Sequence, residues 1–95
     1  MVCLDNTILV GKKYFVRYVA AVLYKLFVEG CKSVKLRALG KNISRTVHIA
    51  NSVISLVKEL GIAYVGIGTL SLISEGKRRS VSCIEIELRI RDYIP

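Results

Sequence analysis

Two stretches with the hydrophobic period of a helix alternate with stretches that have the period of a strand, and no other feature constrains the fold as much. The first predicted helix covers residues 13–29. The second has Asn42 as its predicted N-cap and runs to about Leu60. Strands joined through a helix run parallel and connect right-handedly. The order therefore predicts an α+β fold, a two-layer β-α-β-α-β-β sandwich. The predicted strands are residues 7–10, 33–39, 62–74 and the alternating run after Arg79.

The apolar residues of each predicted helix recur on one side, which is the side expected to face the core. Gly30 is predicted to close the first helix and Gly61 to cap the second. In the third strand the alternation changes phase, which predicts a bulge near Gly68 and Thr69. The residues predicted to face the core are Phe15, Val19, Val22, Leu23 and Leu26 in the first helix and Ile43, Val47, Ala50, Ile54 and Val57 in the second.

The first predicted strand ends at Gly11, and two lysines follow where the first helix begins. A helix first turn normally favours acidic residues, because its unpaired N–H groups and the helix dipole carry partial positive charge. Lys12 and Lys13 oppose that preference, which indicates a bound anion such as a phosphate at this corner. Two solvated lysines at a loop edge are the alternative that this stretch alone leaves open.

The predicted topology gathers basic side chains on one side of the sheet. Both helix N-termini lie at the same edge. The third strand runs in the same direction, so the hairpin that joins it to the fourth strand extends beyond that edge. At about 3.3 Å per residue, this hairpin makes an arm of roughly 40 Å. We expect the cluster to bind a phosphate backbone. The candidate nucleic-acid-binding residues are Lys12, Lys13, Arg17, Lys41, Asn42, Arg45, Lys77, Arg78 and Arg79.

The charge balance supports a polyanionic partner. The chain has 15 basic and 7 acidic side chains, a net charge of +8 and a pI near 9.7. Nine of the basic residues but only two of the acidic ones lie within residues 1–45. One face, rather than the whole surface, is therefore predicted to be basic.

Other functional classes are not expected. The longest run without charge, residues 60–74, is shorter than the ~18 apolar residues of a membrane span, and no signal-peptide pattern opens the chain. His48 is the only histidine, and no cysteine or carboxylate lies at metal-ligand spacing from it, so no catalytic residue, metal, cofactor or small-molecule substrate is predicted.

Cys3, Cys31 and Cys83 are odd in number and widely spaced. They are interpreted as thiols in a reducing, cytoplasmic compartment.

Three segments form an ordered series along nearly the whole chain. They are Gly11-Lys12-Lys13 leading into Tyr18-Val19-Ala20-Ala21, then Gly40-Lys41-Asn42-Ile43-Ser44-Arg45-Thr46-Val47, then Arg79-Ser80-Val81-Ser82-Cys83-Ile84-Glu85-Ile86. This series resembles the Alba family of archaeal chromatin proteins. Over residues 1–95 the resemblance implies a single Alba-like domain, whose fold resembles the C-terminal domain of bacterial translation initiation factor three.

The resemblance also implies a function. It implies a dimer, either of identical chains or with an Alba paralogue, that binds double-stranded DNA and RNA without sequence preference and coats or compacts DNA. The lysine pair is implied to contact the backbone, and the two hairpin arms the flanking minor grooves. Acetylation of Lys12 is implied to weaken binding. The implied location is the chromosome or nucleoid.

The chain departs from the family pattern at four positions. Tyr14 stands where proline usually follows the lysine pair, and Leu39 stands where a first arginine is usual. His48 replaces an acidic residue common at the start of the second helix. Val57 stands where many members have a phenylalanine that packs dimers together along DNA. Cooperative packing of dimers is therefore left open.

Two functional hypotheses remain open from the sequence. One is an architectural nucleic-acid-binding protein, and the other is an RNA-binding subunit of a ribonucleoprotein whose apolar helix face binds another protein. A dimer is also expected on physical grounds. The last strand, residues 84–90, and the outer side chains of Tyr24 and Val28 are predicted to leave apolar surface that a monomer of this size does not cover.

Overall fold

The computed structural model describes Cys3 and residues 5–91 as two helices packed on one face of a four-stranded sheet. The α+β class and the order of the elements are confirmed. The elements are β1 (Thr7–Val10), α1 (Phe15–Phe27), β2 (Ser33–Leu39), a 3₁₀ turn (Gly40–Asn42), α2 (Ile43–Leu56), β3 (Leu60–Ser74) and β4 (Lys77–Ile90).

The strands lie in the order β1-β2-β4-β3. β1 and β2 are parallel, and β4 runs antiparallel to both of its neighbours, so β3 runs in the same direction as β1 and β2. Consequently β1, β2 and β3 all end at one edge of the sheet, where both helices begin, as the topology predicted.

One hydrophobic core lies between the helices and the sheet. The strands contribute alternate residues, such as Leu36 of β2 and Leu88 of β4, which are fully buried. α1 contributes Tyr18, Val22 and Leu26. The predicted core positions Phe15, Val19 and Leu23 are partly buried and pack at its margin.

The predicted core face of α2 was shifted by about one position. The structure buries Thr46, Ile49 and Val53, whereas Val47, which was predicted to face inward, is 40% exposed. A polar Thr46 does not fit an apolar stripe in sequence. Its hydroxyl donates a hydrogen bond to the carbonyl of Asn42 at 2.8 Å, so its burial leaves no unpaired group. The predicted burial of Ala50 and Val57 is confirmed.

Two predictions around β3 were wrong. α2 ends at Leu56, and Gly61 lies inside β3, paired with Arg89, instead of capping the helix. The irregularity in β3 lies between Ile62 and Tyr64 and not near Gly68. The change of phase that suggested a bulge there marks instead the region where the strand leaves the body and both of its faces are exposed.

The interpretation of all three cysteines as thiols was also wrong, because Cys3 and Cys31 form a disulfide. In the parallel pairing of β1 with β2, Thr7 lies beside Lys35, an offset of 28 residues. Cys3 and Cys31 are separated by the same 28 residues, so the register brings them together ahead of the two strands. Cys83 is the free cysteine of the described chain.

This disulfide predicts redox-dependent stability. A cross-link that closes a loop of 28 residues restricts the unfolded chain and is expected to stabilise the fold by about 3–4 kcal/mol. Reduction, or Cys3→Ser, should lower the free energy of unfolding measured by denaturant titration by that order. Cys83→Ser is the matched control and should have little effect. Equal unfolding midpoints for the oxidised and reduced protein would contradict the prediction.

Candidate nucleic-acid interface

The sheet edge where the helices begin carries a group of basic residues, called here the basic edge: Lys12, Lys13, Arg17, Lys41 and Arg45. β1 ends at Val10 and β2 at Leu39, and these two ends are adjacent because Val10 pairs with Ala38. Lys12, Lys13, Arg17 and Lys41 are exposed, whereas Arg45 is half-buried. The structure thus brings together the predicted residues of the first two crossovers.

Both helices start without the usual neutralising groups. Neither α1 nor α2 has a side-chain capping hydrogen bond or an acidic residue in its first turn. Asn42 occupies the predicted N-cap position of α2, but its side chain does not cap the helix. The positive ends of both helix dipoles therefore add to the charge of the lysines at this edge.

Both the backbone N–H and the carbonyl of Gly11 form hydrogen bonds with side chains. Its N–H donates to the hydroxyl oxygen of Tyr18 at 2.9 Å, and the N–H of Lys13 donates to the same oxygen at 3.1 Å. Arg45 donates from Nη1 to the carbonyl of Gly11 at 2.6 Å, and its guanidinium lies 5.6 Å from the centroid of the Tyr18 ring. We call this group, Gly11, Tyr18 and Arg45, the corner latch.

The corner latch changes two details of the predicted site. The N–H groups of Gly11 and Lys13 are already paired with Tyr18, so they are not free donors for a phosphate. Arg45 is partly used to fix Gly11, and it therefore positions the lysine pair as well as adding charge. The charge available at the corner comes mainly from the side chains of Lys12 and Lys13.

Tyr18 was not among the predicted core positions, and the role of its hydroxyl was missed. Tyr18 is buried in the core through its ring, and its hydroxyl reaches the loop that precedes α1. A tyrosine on a buried helix stripe needs a hydrogen-bond partner for its hydroxyl, and this requirement was the available signal.

The hairpin of β3 and β4 extends beyond the sheet as an arm, defined here as residues 69–82. Cys83 pairs with both Leu39 of β2 and Gly68 of β3, and residues beyond this row pair only with each other. Six residues per strand span roughly 20 Å at 3.3 Å per residue, about half the predicted length, because much of β3 belongs to the sheet.

The basic residues at the end of the arm lie in a strand, although the last strand was predicted to begin only after Arg79. Only Glu75 and Gly76 form the turn, and both have positive φ, as a two-residue hairpin turn of type I′ requires. Lys77, Arg78 and Arg79 lie within β4, where they pair with β3 and are exposed. The arm therefore holds them apart from the basic edge, on the same side of the molecule.

Within residues 3 and 5–91, no three His, Cys, Asp or Glu side chains are grouped so that they could hold a metal ion, and neither helix has the length and hydropathy of a membrane span. His48, exposed on α2, packs its ring against that of Phe15 at 4.6 Å between centroids, which joins the two helices near the basic edge.

The corner latch can be tested by hydrogen exchange. Tyr18→Phe keeps the buried ring but removes the acceptor for two N–H groups, so amide exchange at Gly11 and Lys13 should accelerate. The loss should cost about 1 kcal/mol of stability, since water reaches these partly exposed groups. Tyr24→Phe, at an exposed tyrosine of the same helix, is the control. Unchanged exchange at Gly11 and Lys13 in Tyr18→Phe would show that the latch does not hold the corner.

Comparison with known proteins adds independent information, although no protein-family sequence model matches the chain. The chain is 36% identical over 88 residues to the DNA/RNA-binding protein Alba of Nanoarchaeum equitans, a match that covers 85% of this chain and 93% of the relative. It is 40% identical over 87 residues to the protein of the same name from Methanocella arvoryzae, covering 90% of each.

Solved structures show the same similarity. Alba from Thermoplasma volcanium matches with a TM-score of 0.79 at 30% identity, covering 88% of this chain and 99% of that one. ALBA1 from Trypanosoma brucei matches with a TM-score of 0.73 at 21% identity, covering 93% of this chain and 71% of that one, which indicates a shared fold.

Proposed function

The chain belongs to the Alba family, and we propose that it binds double-stranded DNA and RNA without sequence preference, as an architectural protein that coats or compacts DNA on the chromosome. The observation that carries this proposal is the convergence of Lys12, Lys13, Arg17 and Lys41 on one sheet edge, with the arm extending from the same edge. In this proposal the protein acts by binding and has no enzymatic activity.

The geometry favours contact with the phosphate backbone. Lysine side chains are flexible point charges, and helix N-termini bind phosphate oxygens, so neither group reads base identity. Arg78 and Arg79, exposed on the arm, suit the narrow minor groove, where negative potential is enhanced. Contacts of both kinds neutralise charge along a duplex without selecting its sequence.

Dimerisation is the second part of the proposal, and the exposed apolar surface agrees only in part with the one predicted. Tyr24 and Val28 are exposed as predicted, whereas Ile84, Ile86 and Leu88 are buried in the core of the single chain and are not available to a partner. A further group of exposed apolar side chains lies on the outer strand β3 and on α2. Its members are Ile62, Val65, Ile67, Val47 and Leu56.

This exposed group, called here the β3 face, is the proposed dimer interface. β3 is an edge strand of the sheet, and Ile62, Val65 and Ile67 all lie on its helix-facing side, because they pair with the buried Leu88, Ile86 and Ile84. A second copy, or an Alba paralogue, would cover these side chains. Two chains would then present two basic edges and two arms to one duplex.

Acetylation is proposed to regulate the lysine pair. Lys12 is exposed immediately after Gly11, with its backbone between two residues that Tyr18 fixes. Acetylation would remove one positive charge at a position held rigid by the corner latch, with no need for the fold to change. The expected effect is weaker binding to nucleic acid.

Salt dependence tests the proposed mode of binding. If about six phosphates are neutralised per dimer, log affinity should fall against log salt with a slope of about −5 or steeper for any duplex sequence. Lys12→Gln should weaken binding and make the slope shallower by about one for each phosphate that is no longer neutralised. Lys58→Gln removes the same charge at the opposite sheet edge and should bind like the parent. A shallow slope for the parent, or equal effects of the two variants, would overturn the proposal.

Mass measurement tests the dimer. Ile67→Asp places a charge in the middle of the β3 face and should convert a dimer to a monomer in light scattering, with the fold retained because the side chain is exposed in the single chain. Phe27→Asp, at an exposed apolar residue on α1, is the control and should remain dimeric. A parent protein that is a stable monomer at micromolar concentration would rule out the interface.

A further inference from the structure

The face of the sheet opposite the helices contains a cavity of about 530 Å³. Gly66 and Gly68 of β3 lie on this face beside Glu85 and Cys83, because those residues pair across the strands. Because glycine has no side chain, these two positions leave a depression between larger neighbours. It is called here the glycine trough, and its lining includes Leu9, Arg37, Leu39, Leu70 and Glu85, together with Ile67 of the β3 face.

Tyr64 lies along the floor of the trough. A methyl group added at Gly66 would come within 2.5 Å of the Tyr64 hydroxyl oxygen and within 2.9 Å of its ring carbons, so the ring covers Gly66. Tyr64 is nevertheless 53% exposed. Gly66 lies two residues after Tyr64 on the same face of β3, and it leaves the space that the ring occupies. The ring therefore lies against the sheet while much of its surface stays accessible.

The trough combines apolar walls with a few polar groups. Arg37 of β2 and Glu85 of β4 form an ion pair at 3.5 Å between Nε and Oε1 on this face, and both line the cavity. Donors and acceptors for hydrogen bonds are therefore both present beside the Tyr64 ring. The volume lies within the range of about 300–1,000 Å³ that is typical of small-molecule sites.

The trough adjoins the basic edge. Its lining includes Leu39 and Asn42, the residues on either side of Gly40 and Lys41, and it reaches Leu70, where the arm leaves the body. A nucleic-acid strand whose phosphates contact Lys41 would pass the opening of the trough. Only an unpaired base could enter it, because the bases of a duplex are stacked and paired.

We propose that the glycine trough binds an unpaired base of single-stranded nucleic acid, which stacks on Tyr64 while its polar edge faces Arg37 and Glu85. This inference rests on the proposed function and extends it to a second ligand class. Stacking of bases on aromatic side chains beside a basic surface is a general mode of single-strand recognition. Duplexes would use the basic edge and the arm, and single strands would use the basic edge and the trough.

The test compares two probes, a 12-nucleotide oligoadenylate and a duplex DNA, in fluorescence anisotropy at one salt concentration. Tyr64→Ala should weaken oligoadenylate binding roughly five- to hundred-fold, the range for loss of one stacked base, and leave duplex binding unchanged. Tyr64→Phe keeps the ring and should bind both probes like the parent. Tyr24→Ala is the matched control, since Tyr24 is 52% exposed on α1.

Gly66→Ala provides a second variant that keeps the Tyr64 side chain. The added methyl group would displace the ring from the floor of the trough, and oligoadenylate binding should fall toward that of Tyr64→Ala. Because the displaced atoms are the end of a flexible, exposed side chain, the thermal midpoint should change little. Full oligoadenylate affinity in both Gly66→Ala and Tyr64→Ala would overturn the inference.

The outcomes separate this inference from the proposed function. Lys12→Gln should weaken both probes, and if it weakens neither, the proposed function fails. If Lys12→Gln weakens both but Tyr64→Ala affects neither or affects them equally, only the trough inference fails. A change in molecular mass on Tyr64→Ala would identify the trough as an interface between copies of the chain and would also overturn it.

Discussion

The parallel pairing of β1 with β2, at an offset of 28 residues, is the constraint on which the rest of the structure depends. At one end of the pair it brings Cys3 to Cys31. At the other end it places the loop after β1 beside the loop after β2, so that Arg45 reaches the carbonyl of Gly11. The disulfide and the corner latch thus fix opposite ends of the β1–β2 pair.

The latch explains how a loop of exposed lysines becomes a defined surface. Mobile lysines lose side-chain and loop entropy on binding, whereas a corner that is already ordered loses less. Tyr18 connects the corner to the core, since its ring is buried and its hydroxyl accepts from Gly11 and Lys13. Binding would therefore be sensitive to Tyr18, although that residue is buried.

Much of the fold followed from sequence because periodicity and crossover handedness are local rules with global consequences. The rules determined the element order, the shared direction of three strands and the edge that collects Lys12 and Lys41. They failed where burial or strand pairing depends on one specific partner that a repeating pattern does not contain. Thr46 can be buried because the carbonyl of Asn42 accepts a hydrogen bond from its hydroxyl. The arm is short because β2 pairs with β4 as far as Cys83. The trough depends on Tyr64 lying over Gly66, which no periodicity predicts.

Amide chemical-shift mapping by NMR during titration with a short DNA duplex tests the central claim, that one sheet edge and the arm bind nucleic acid. If this claim is right, the largest changes will lie at residues 11–13, 41–45 and 77–79, with small changes at the opposite edge around Lys58. Largest changes around Lys58 and the end of α1, with residues 11–13 unaffected, would contradict it.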